Sequence, residues 1–147
     1  MHYISKWKQF LMVEDDMDSH EVAKASIVTN DNKVLILKRS DYMMDFAGEW
    51  DLPGGHLKQS EKTEIGLDRE VLEETGLNIG PYDHEKIITI DNIHFYLIRY
   101  NKQSNEINVN ISDEHTDFAF VSQEELQNFD ISEKFTKVIN KSMGFED

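Results

Sequence analysis

The chain has 147 residues, no cysteine, and 29 acidic against 15 basic side chains, which give a formal net charge of -14. This length suits one ordinary domain and is too short for two separate cores. The absence of cysteine excludes disulfides and thiolate metal sites. The sequence has no signal-like or long apolar segment, so we expect a cytoplasmic protein with no membrane partner. The acidic excess repels the phosphate backbone, so binding of duplex nucleic acid is not expected.

We divide the chain into an N-terminal extension, residues 1–19, and one domain, residues 20–147, because no repeat or linker interrupts the rest. The extension contains Trp7, Phe10 and Leu11, which could belong to an added strand, a helix face or a dimer contact. The prediction therefore covers both a monomer and a homodimer.

The first part of the domain predicts a hairpin. Residues 22–29 and 34–37 are rich in β-branched and aliphatic side chains, and Asn30-Asp31-Asn32 between them is typical of a turn. Residues 50–52 then form a short extended piece that ends at a Pro-Gly-Gly sequence. Since proline lacks a donor and glycine permits unusual backbone angles, a loop is expected there.

A helix of about four turns is predicted from Ser60, a favourable N-cap, to Gly76, a favourable C-terminal stop. Ile65 and Leu72 share one side of this helix, and we expect that side to pack on a sheet. The later pattern predicts, in order, strands at 87–90, 94–100, 107–111 and 118–121 and a helix at 133–143. Strands on both sides of a helix predict the α/β class, with a mixed sheet between helical layers.

Three glutamates of the predicted helix lie away from its apolar side. At about 100° per residue, Glu70, Glu73 and Glu74 fall within one arc of roughly 100°. Thr63 and Gly66 are small and lie near this arc, which leaves room for a metal cluster and a phosphate. Oxygen ligands suit Mg²⁺, whereas the plainer interpretation is a solvated acidic face.

The spacing around these glutamates decides between the two interpretations. From Gly55 to Leu77 the sequence reads G-x5-E-x7-REVLEETGL, which resembles the Nudix box at every fixed position. Weaker similarity extends over residues 22–143. The resemblance implies a Nudix α/β/α sandwich and a hydrolase that cleaves a phosphoanhydride bond in a nucleoside diphosphate-linked or related nucleotide.

The resemblance also implies a ligand set for Mg²⁺, with Mn²⁺ as a substitute. Glu70 and Glu74 are the chief metal ligands, Glu73 belongs to the same cluster, and the Gly54 carbonyl contributes from the loop. Gly55 and Gly76 support the site through the backbone.

Two further box residues are assigned to support of the site. Arg69 lies one turn before Glu73, where an ion pair would orient the carboxylates, so we assign it to orientation. Glu61 lies nearly opposite Glu70 on the wheel of a straight helix, and we therefore interpret it as structural.

The catalytic base and the substrate contacts are defined less sharply. Glu114 is the loop candidate for the base, with Glu70 or Glu73 as alternatives. Arg39 ends the second hairpin strand, from which family members often reach a substrate phosphate, and a guanidinium can grip phosphate with two hydrogen bonds. A surface position is the alternative for Glu114 and Arg39. Aromatic side chains that could stack on a base or simply pack are Tyr42, Phe46, Phe95 and Tyr96.

An active pyrophosphohydrolase acting on a small-molecule nucleotide is the leading hypothesis. The alternative is a Nudix-fold sensor that binds a nucleotide or ADP-ribose without cutting it, but such sensors often lose box residues and this chain has lost none. An isomerase of the same superfamily lacks a supporting cysteine. Candidate substrates are ADP-ribose, nucleotide sugars, dinucleoside polyphosphates, dinucleotide cofactors, capped RNA ends and damaged nucleoside triphosphates.

Overall fold

The computed structural model describes residues 18–41 and 47–145 of the chain. Seven strands of these residues form one mixed sheet, and two α-helices pack on it. The strands are β1 Asp18–Val28, β2 Val34–Arg39, β3 Trp50–Asp51, β4 Gly54–Lys58, β5 Glu85–Ile90, β6 Ile93–Arg99 and β7 His115–Val121. The helices are α1 Thr63–Thr75 and α2 Glu133–Ser142, and short 3-10 turns occupy Ser104–Glu106 and Glu124–Asn128.

Strand β1 lies at the centre of the sheet. It runs parallel to β6, with Val22 opposite Ile93, and antiparallel to β4 and β2. Residues 23–29 are all buried, including the polar residues Lys24, Ser26 and Thr29, because a central strand is covered on both faces. The predicted hairpin is confirmed: Val28 pairs with Val34, and Asn32 in the turn has a φ of 59°.

The two faces of the sheet carry separate cores. Leu35 and Leu37 pack in the core that contains α1 residues, whereas Val34 and Ile36 pack in the core that contains α2 residues. Alternate side chains of a strand point to opposite faces, so a strand with two apolar faces holds a helix on each side. The predicted α/β class with a mixed sheet between helices is confirmed.

The loop predicted after residue 53 is wrong. Residues Gly54–Lys58 form β4, and Ala23 of β1 lies opposite Gly55. A Cβ on Gly54 would lie 2.0 Å from the Ala23 oxygen, and Gly54 has a φ of 132°. Glycine is therefore present because two backbones approach closely, which is a use of glycine that is easily mistaken for a loop signal.

The strand predicted at 107–111 is also wrong. Ile107, Val109 and Ile111 alternate as in a strand and pack against the α1 core. However, the backbone N–H groups of this stretch donate to the end of α1: Asn110 to the Thr75 oxygen at 2.9 Å, and Ser112 to the Glu74 oxygen at 3.1 Å. The segment satisfies helix carbonyls that would otherwise lack partners.

Helix α1 begins later than predicted. Its N-cap is Lys62, whose side chain makes no capping hydrogen bond, whereas Ser60 has a φ of 68° and precedes the helix. The prediction of Ser60 as N-cap is wrong. Gly76 ends the helix in the left-handed conformation with a φ of 78°, as predicted.

The side of α1 that packs on the sheet is not the predicted one. Ile65 and Leu72 are 57% and 52% exposed, so they do not anchor the helix. The buried residues of α1 are Gly66, Leu67, Val71, Glu74 and Thr75. Residues 67, 71, 74 and 75 recur at helical spacing and form the face that packs on the sheet. This face combines the aliphatic side chains of Leu67 and Val71 with the sheltered Glu74.

Several sequence predictions concern residues outside the described ranges. These are the roles of Trp7, Phe10, Leu11, Tyr42 and Phe46. The boundary between the extension and the domain, at residues 19 and 20, also stays a prediction. In residues 18–41 and 47–145, no helix is long and apolar enough to cross a membrane.

Candidate active site

A cavity of about 570 Å³ opens where β1, β3, β4, α1 and the first turn of α2 meet. This volume lies in the usual range for small-molecule sites. Residues of the predicted site that line it are Arg39, Gly54, Gly55, Glu70, Glu74 and Glu114. Segments far apart in sequence thus converge on one cavity.

Glu74 is the most deeply placed carboxylate of the cavity. It is 6% exposed, and its Oε1 accepts a hydrogen bond of 3.1 Å from the Gly54 N–H. Burial raises the pKa of Glu74 well above its usual value, although the Lys24 charge and the Gly54 hydrogen bond oppose this rise. The nearby charge of Glu70 adds to the rise. This carboxylate therefore has too little positive charge around it to be fully compensated.

The Glu70 side chain reaches the cavity by passing over Gly55 of β4. A Cβ on Gly55 would lie 2.3 Å from Glu70 Oε1, so glycine at this position admits the carboxylate. Glu70 Oε2 accepts a 2.7 Å hydrogen bond from Arg69 Nη1. Burial raises the pKa of Glu70, Arg69 lowers it, and the charges of Glu73 and Glu114 raise it further. Glu114 is therefore close enough to Glu70 for their charges to interact.

Arg69 ties the start of the box to its carboxylates. It donates to both carboxylate oxygens of Glu61, at 2.9 and 3.1 Å, to Glu70 at 2.7 Å and to the His56 oxygen at 3.2 Å. The ion pair expected with Glu73 is present at the longer distance of 3.5 Å. Glu61 precedes α1, which is why a helical wheel could not locate its contact with Arg69.

Glu73 and Gly66 lie outside the cavity walls. The Glu73 side chain is 57% exposed. A Cβ on Gly66 would lie 2.4 Å from Leu57 Cδ2 and 2.8 Å from Glu61 Oε1. The prediction that Gly66 leaves room for a metal is wrong, because that room is taken by Leu57 and Glu61.

A buried charged group in the cavity lining was missed by the sequence reasoning. Asp51 Oδ2 lies 3.5 Å from Lys24 Nζ and 3.4 Å from Arg39 Nη1, and Asp51 Oδ1 lies 3.4 Å from His115 Nε2. Burial alone would raise the pKa of Asp51, but Lys24, His115 and Arg39 together hold it below its usual value. The available signal was Lys24 itself, a lone charge in the apolar run of β1.

The oxygen atoms of the cavity fit a divalent cation. Among the described residues, no three Asp, Glu, His or Cys side chains converge closely enough to enclose a metal. Mg²⁺ does not need such a cage, because proteins usually hold it by one or two carboxylates together with substrate phosphates and waters. Glu70 and Glu74 supply hard oxygen ligands, and burial raises the pKa of both carboxyl groups.

Two of the aromatic side chains considered for stacking on a base, Phe95 and Tyr96, serve packing. Phe95 is fully buried and contacts Phe135 edge to face, with ring centroids 5.7 Å apart. Tyr96 is 5% exposed and packs in the other core. Phe95 therefore cannot present a ring face to a ligand.

Comparison with known proteins agrees with this geometry. The family model of the NUDIX domain matches residues 19–141. The nucleoside triphosphatase NudI of Salmonella agona (strain SL483) is 29% identical over 119 residues, which cover 72% of this chain and 84% of that protein.

Solved structures give the same result. A crystal structure of MutT protein from Methanosarcina mazei Go1 is 26% identical and covers 89% of this chain and 96% of its own, with a TM-score of 0.64. The E. coli dihydroneopterin triphosphate pyrophosphohydrolase shares the fold, with a TM-score of 0.67 at 14% identity over 85% of this chain and 95% of its own. The chain belongs to the Nudix family, and the enzyme class predicted from its sequence, a pyrophosphohydrolase, is confirmed.

Proposed function

We propose that the protein uses a divalent cation, Mg²⁺ or in its place Mn²⁺, to hydrolyse a phosphoanhydride bond of a small nucleotide. The observation that carries the proposal is the convergence of Glu70, Glu74 and the Gly54 segment on one cavity with Arg39 and Glu114. We further propose a nucleoside triphosphate as the leading substrate class. This choice is supported by the similarity to nucleoside triphosphatase NudI.

Glu70, Glu74 and the Gly54 carbonyl would hold the cation, with Glu73 approaching from the exposed rim. When bound, the cation neutralises phosphate charge and acidifies a coordinated water. Arg69 holds the Glu70 carboxylate in place through the 2.7 Å hydrogen bond. The protein's own contribution is thus a fixed set of oxygen ligands in a sheltered cavity.

Two side chains are assigned to the substrate. Arg39 lines the cavity and is held by Asp51 at 3.4 Å, so its guanidinium can meet a phosphate without a large rearrangement. On another wall, Val22, Ile93 and Phe135 offer an apolar surface for a nucleobase. A phosphate end and an apolar end together suit a nucleotide.

Glu114 is the proposed general base. It lines the cavity and interacts electrostatically with Glu70, whereas Glu70 itself is occupied by Arg69 and by the proposed cation. Glu114→Gln is expected to lower turnover about 10²-fold or more at saturating metal while the affinity for Mn²⁺ stays unchanged. An unchanged turnover would return the role to Glu70 or Glu73.

A release assay tests the whole proposal. Nucleoside triphosphates, ADP-ribose, nucleotide sugars and dinucleoside polyphosphates are each incubated with Mg²⁺ or Mn²⁺ and then with a chelator. We expect cleavage of at least one triphosphate, lost with the chelator. Binding of a nucleotide without any product would instead support the sensor alternative.

A further inference from the structure

Lys24 is a buried lysine in the central strand of the sheet. It is 8% exposed, and its flanking residues Ala23 and Ala25 are fully buried. Its Nζ donates to the Leu52 oxygen at 3.0 Å and to the Gly54 oxygen at 3.2 Å. The third neighbour of the ammonium is the carboxylate of Asp51, at 3.5 Å.

We propose that Lys24 and Asp51 form an ion-paired brace that fixes the direction of the Gly54 carbonyl at the cation site. Lys24 is thus a positioning residue that acts through this carbonyl. The inference rests on the proposed function, since it requires the Gly54 oxygen to face a bound cation.

The hydrogen-bond inventory of the ammonium argues for bracing over substrate binding. A lysine ammonium has three donors, and three oxygens surround Lys24 Nζ: the backbone carbonyls of Leu52 and Gly54 and one carboxylate. A phosphate could gain a hydrogen bond from Lys24 only by displacing one of them. A carbonyl oxygen has two lone pairs, so Gly54 can accept from Lys24 and still face a cation.

The charge of Asp51 explains how a lysine can lie beside a cation site. A lone ammonium there would repel a divalent ion, but the Asp51 carboxylate at 3.5 Å offsets part of its charge. Asp51 also lies 3.4 Å from Arg39 Nη1. The same carboxylate therefore links the cation side of the cavity to the proposed phosphate side.

Fold stability gives little reason to keep this pair. Burying two charges costs desolvation, and replacing a buried ion pair by apolar side chains of similar size is often neutral or stabilising. Apolar side chains at both positions, 24 and 51, would fill a similar space without that cost. The position of the pair directly behind the Gly54 carbonyl accounts for it better.

The test measures Mn²⁺ affinity in the absence of nucleotide, by the electron paramagnetic resonance signal of free Mn²⁺. Lys24→Met is expected to bind Mn²⁺ about 10-fold to 100-fold more weakly than the wild type. Its unfolding midpoint should fall, because Asp51 is left without its lysine partner, so Mn²⁺ binding is measured at a temperature where the variant is folded. Lys33→Met is the matched control, because Lys33 lies between β1 and β2 and is not a wall residue of the cavity. Its Mn²⁺ affinity should equal that of the wild type.

Asp51→Asn is the second variant and decides the matter if Lys24→Met does not fold. It keeps the ammonium but removes its neutralising partner, so Mn²⁺ binding should weaken about 10-fold or more. In the double variant, Lys24→Met with Asp51→Asn, the loss should be smaller than the sum of the single losses, since the two residues act as one unit.

Unchanged or tighter Mn²⁺ binding in Lys24→Met, with a wild type that binds Mn²⁺ and hydrolyses nucleotide, would overturn the brace and leave the proposed function standing. A wild type that binds no Mn²⁺ would overturn both.

Discussion

The two helices of the fold are built by different rules. Helix α2 has Ser132 as its N-cap, whose side chain accepts a hydrogen bond from the Phe135 N–H, and it buries Val138 and Ile139 in the core. Helix α1 has Lys62 as its N-cap, which makes no side-chain capping hydrogen bond, and it exposes Ile65 and Leu72. One helix follows the usual preferences for a capped, amphipathic segment, and the other departs from them.

The departures of α1 concentrate where the carboxylates are held. Its inward face contains Glu74, and Glu70 lies beside it under the control of Arg69. A buried carboxylate destabilises a helix interface unless something outside the helix compensates its charge. Local rules are expected to fail at functional sites, and the contrast between the helices identifies α1 as the element shaped by chemistry.

The largest expected effect concerns the buried carboxylate of α1. Glu74→Gln should lower turnover by at least about 10²-fold, because one charged metal ligand is lost, while the fold remains or becomes slightly more stable. Turnover at saturating Mg²⁺ and the thermal midpoint measure the two effects. Glu64→Gln, at an exposed position in the first turn of α1, is the control and should retain full activity. An active Glu74→Gln enzyme would contradict the site assignment.

The next prediction compares the stability lost when a buried apolar residue of α2 and an exposed apolar residue of α1 are each truncated. Ile139→Ala in α2 should cost about 2–4 kcal/mol of unfolding free energy, since the side chain is fully buried. Leu72→Ala in α1 should cost less than about 0.5 kcal/mol, since the side chain is 52% exposed. Urea denaturation of the two variants gives both values. Similar losses would mean that the outer face of α1 is covered in solution.

A smaller effect, with an unusual sign, is expected at Gly66. Alanine normally stabilises a helix by about 1 kcal/mol relative to glycine. Here the added methyl group would meet Leu57 and Glu61 at 2.4 and 2.8 Å, so Gly66→Ala should cost about 1–3 kcal/mol. A gain in the denaturation midpoint would show that Glu61 can move away without cost.

The smallest effects concern the two helix starts. Ser132→Ala should cost about 1 kcal/mol by removing the cap of α2. Lys62→Ser should instead gain about 0.5–1 kcal/mol by giving α1 the cap that it lacks, because Lys62 already has the extended backbone of an N-cap. Equal effects of the same sign would remove the proposed difference between the helices.

Much of the fold was predictable because periodic patterns are local. The hairpin, the sheet class, α2 and the Gly76 stop follow from side-chain alternation, helical spacing and glycine conformation. The stretch at 107–111 has the alternation of a strand but hydrogen-bonds to the end of α1 instead. Strand β4 was missed because its glycines serve a close approach to β1, which only the tertiary structure reveals.

The site was predictable where a motif has fixed spacing and unpredictable where contacts cross elements. The box spacing selected Glu70 and Glu74, and both line the cavity. The wheel failed for Glu61, because the helix begins only at Thr63. Lys24 and Asp51 are 27 positions apart and meet only through sheet pairing, so local pattern gave no reason to join them.

The Gly54 oxygen differs from the other proposed ligands in how it can change over evolutionary time. Every amino acid has a backbone carbonyl, so no substitution can replace this oxygen by nitrogen or sulfur. Residues larger than glycine are also excluded at position 54, because a Cβ there would lie 2.0 Å from the Ala23 oxygen. A change of preference toward a softer metal would therefore require substitution of Glu70 or Glu74, or of Lys24 and Asp51 next to the carbonyl. Substitution can therefore change the side-chain ligands of the proposed site, but it leaves the chemical nature of this carbonyl ligand unchanged.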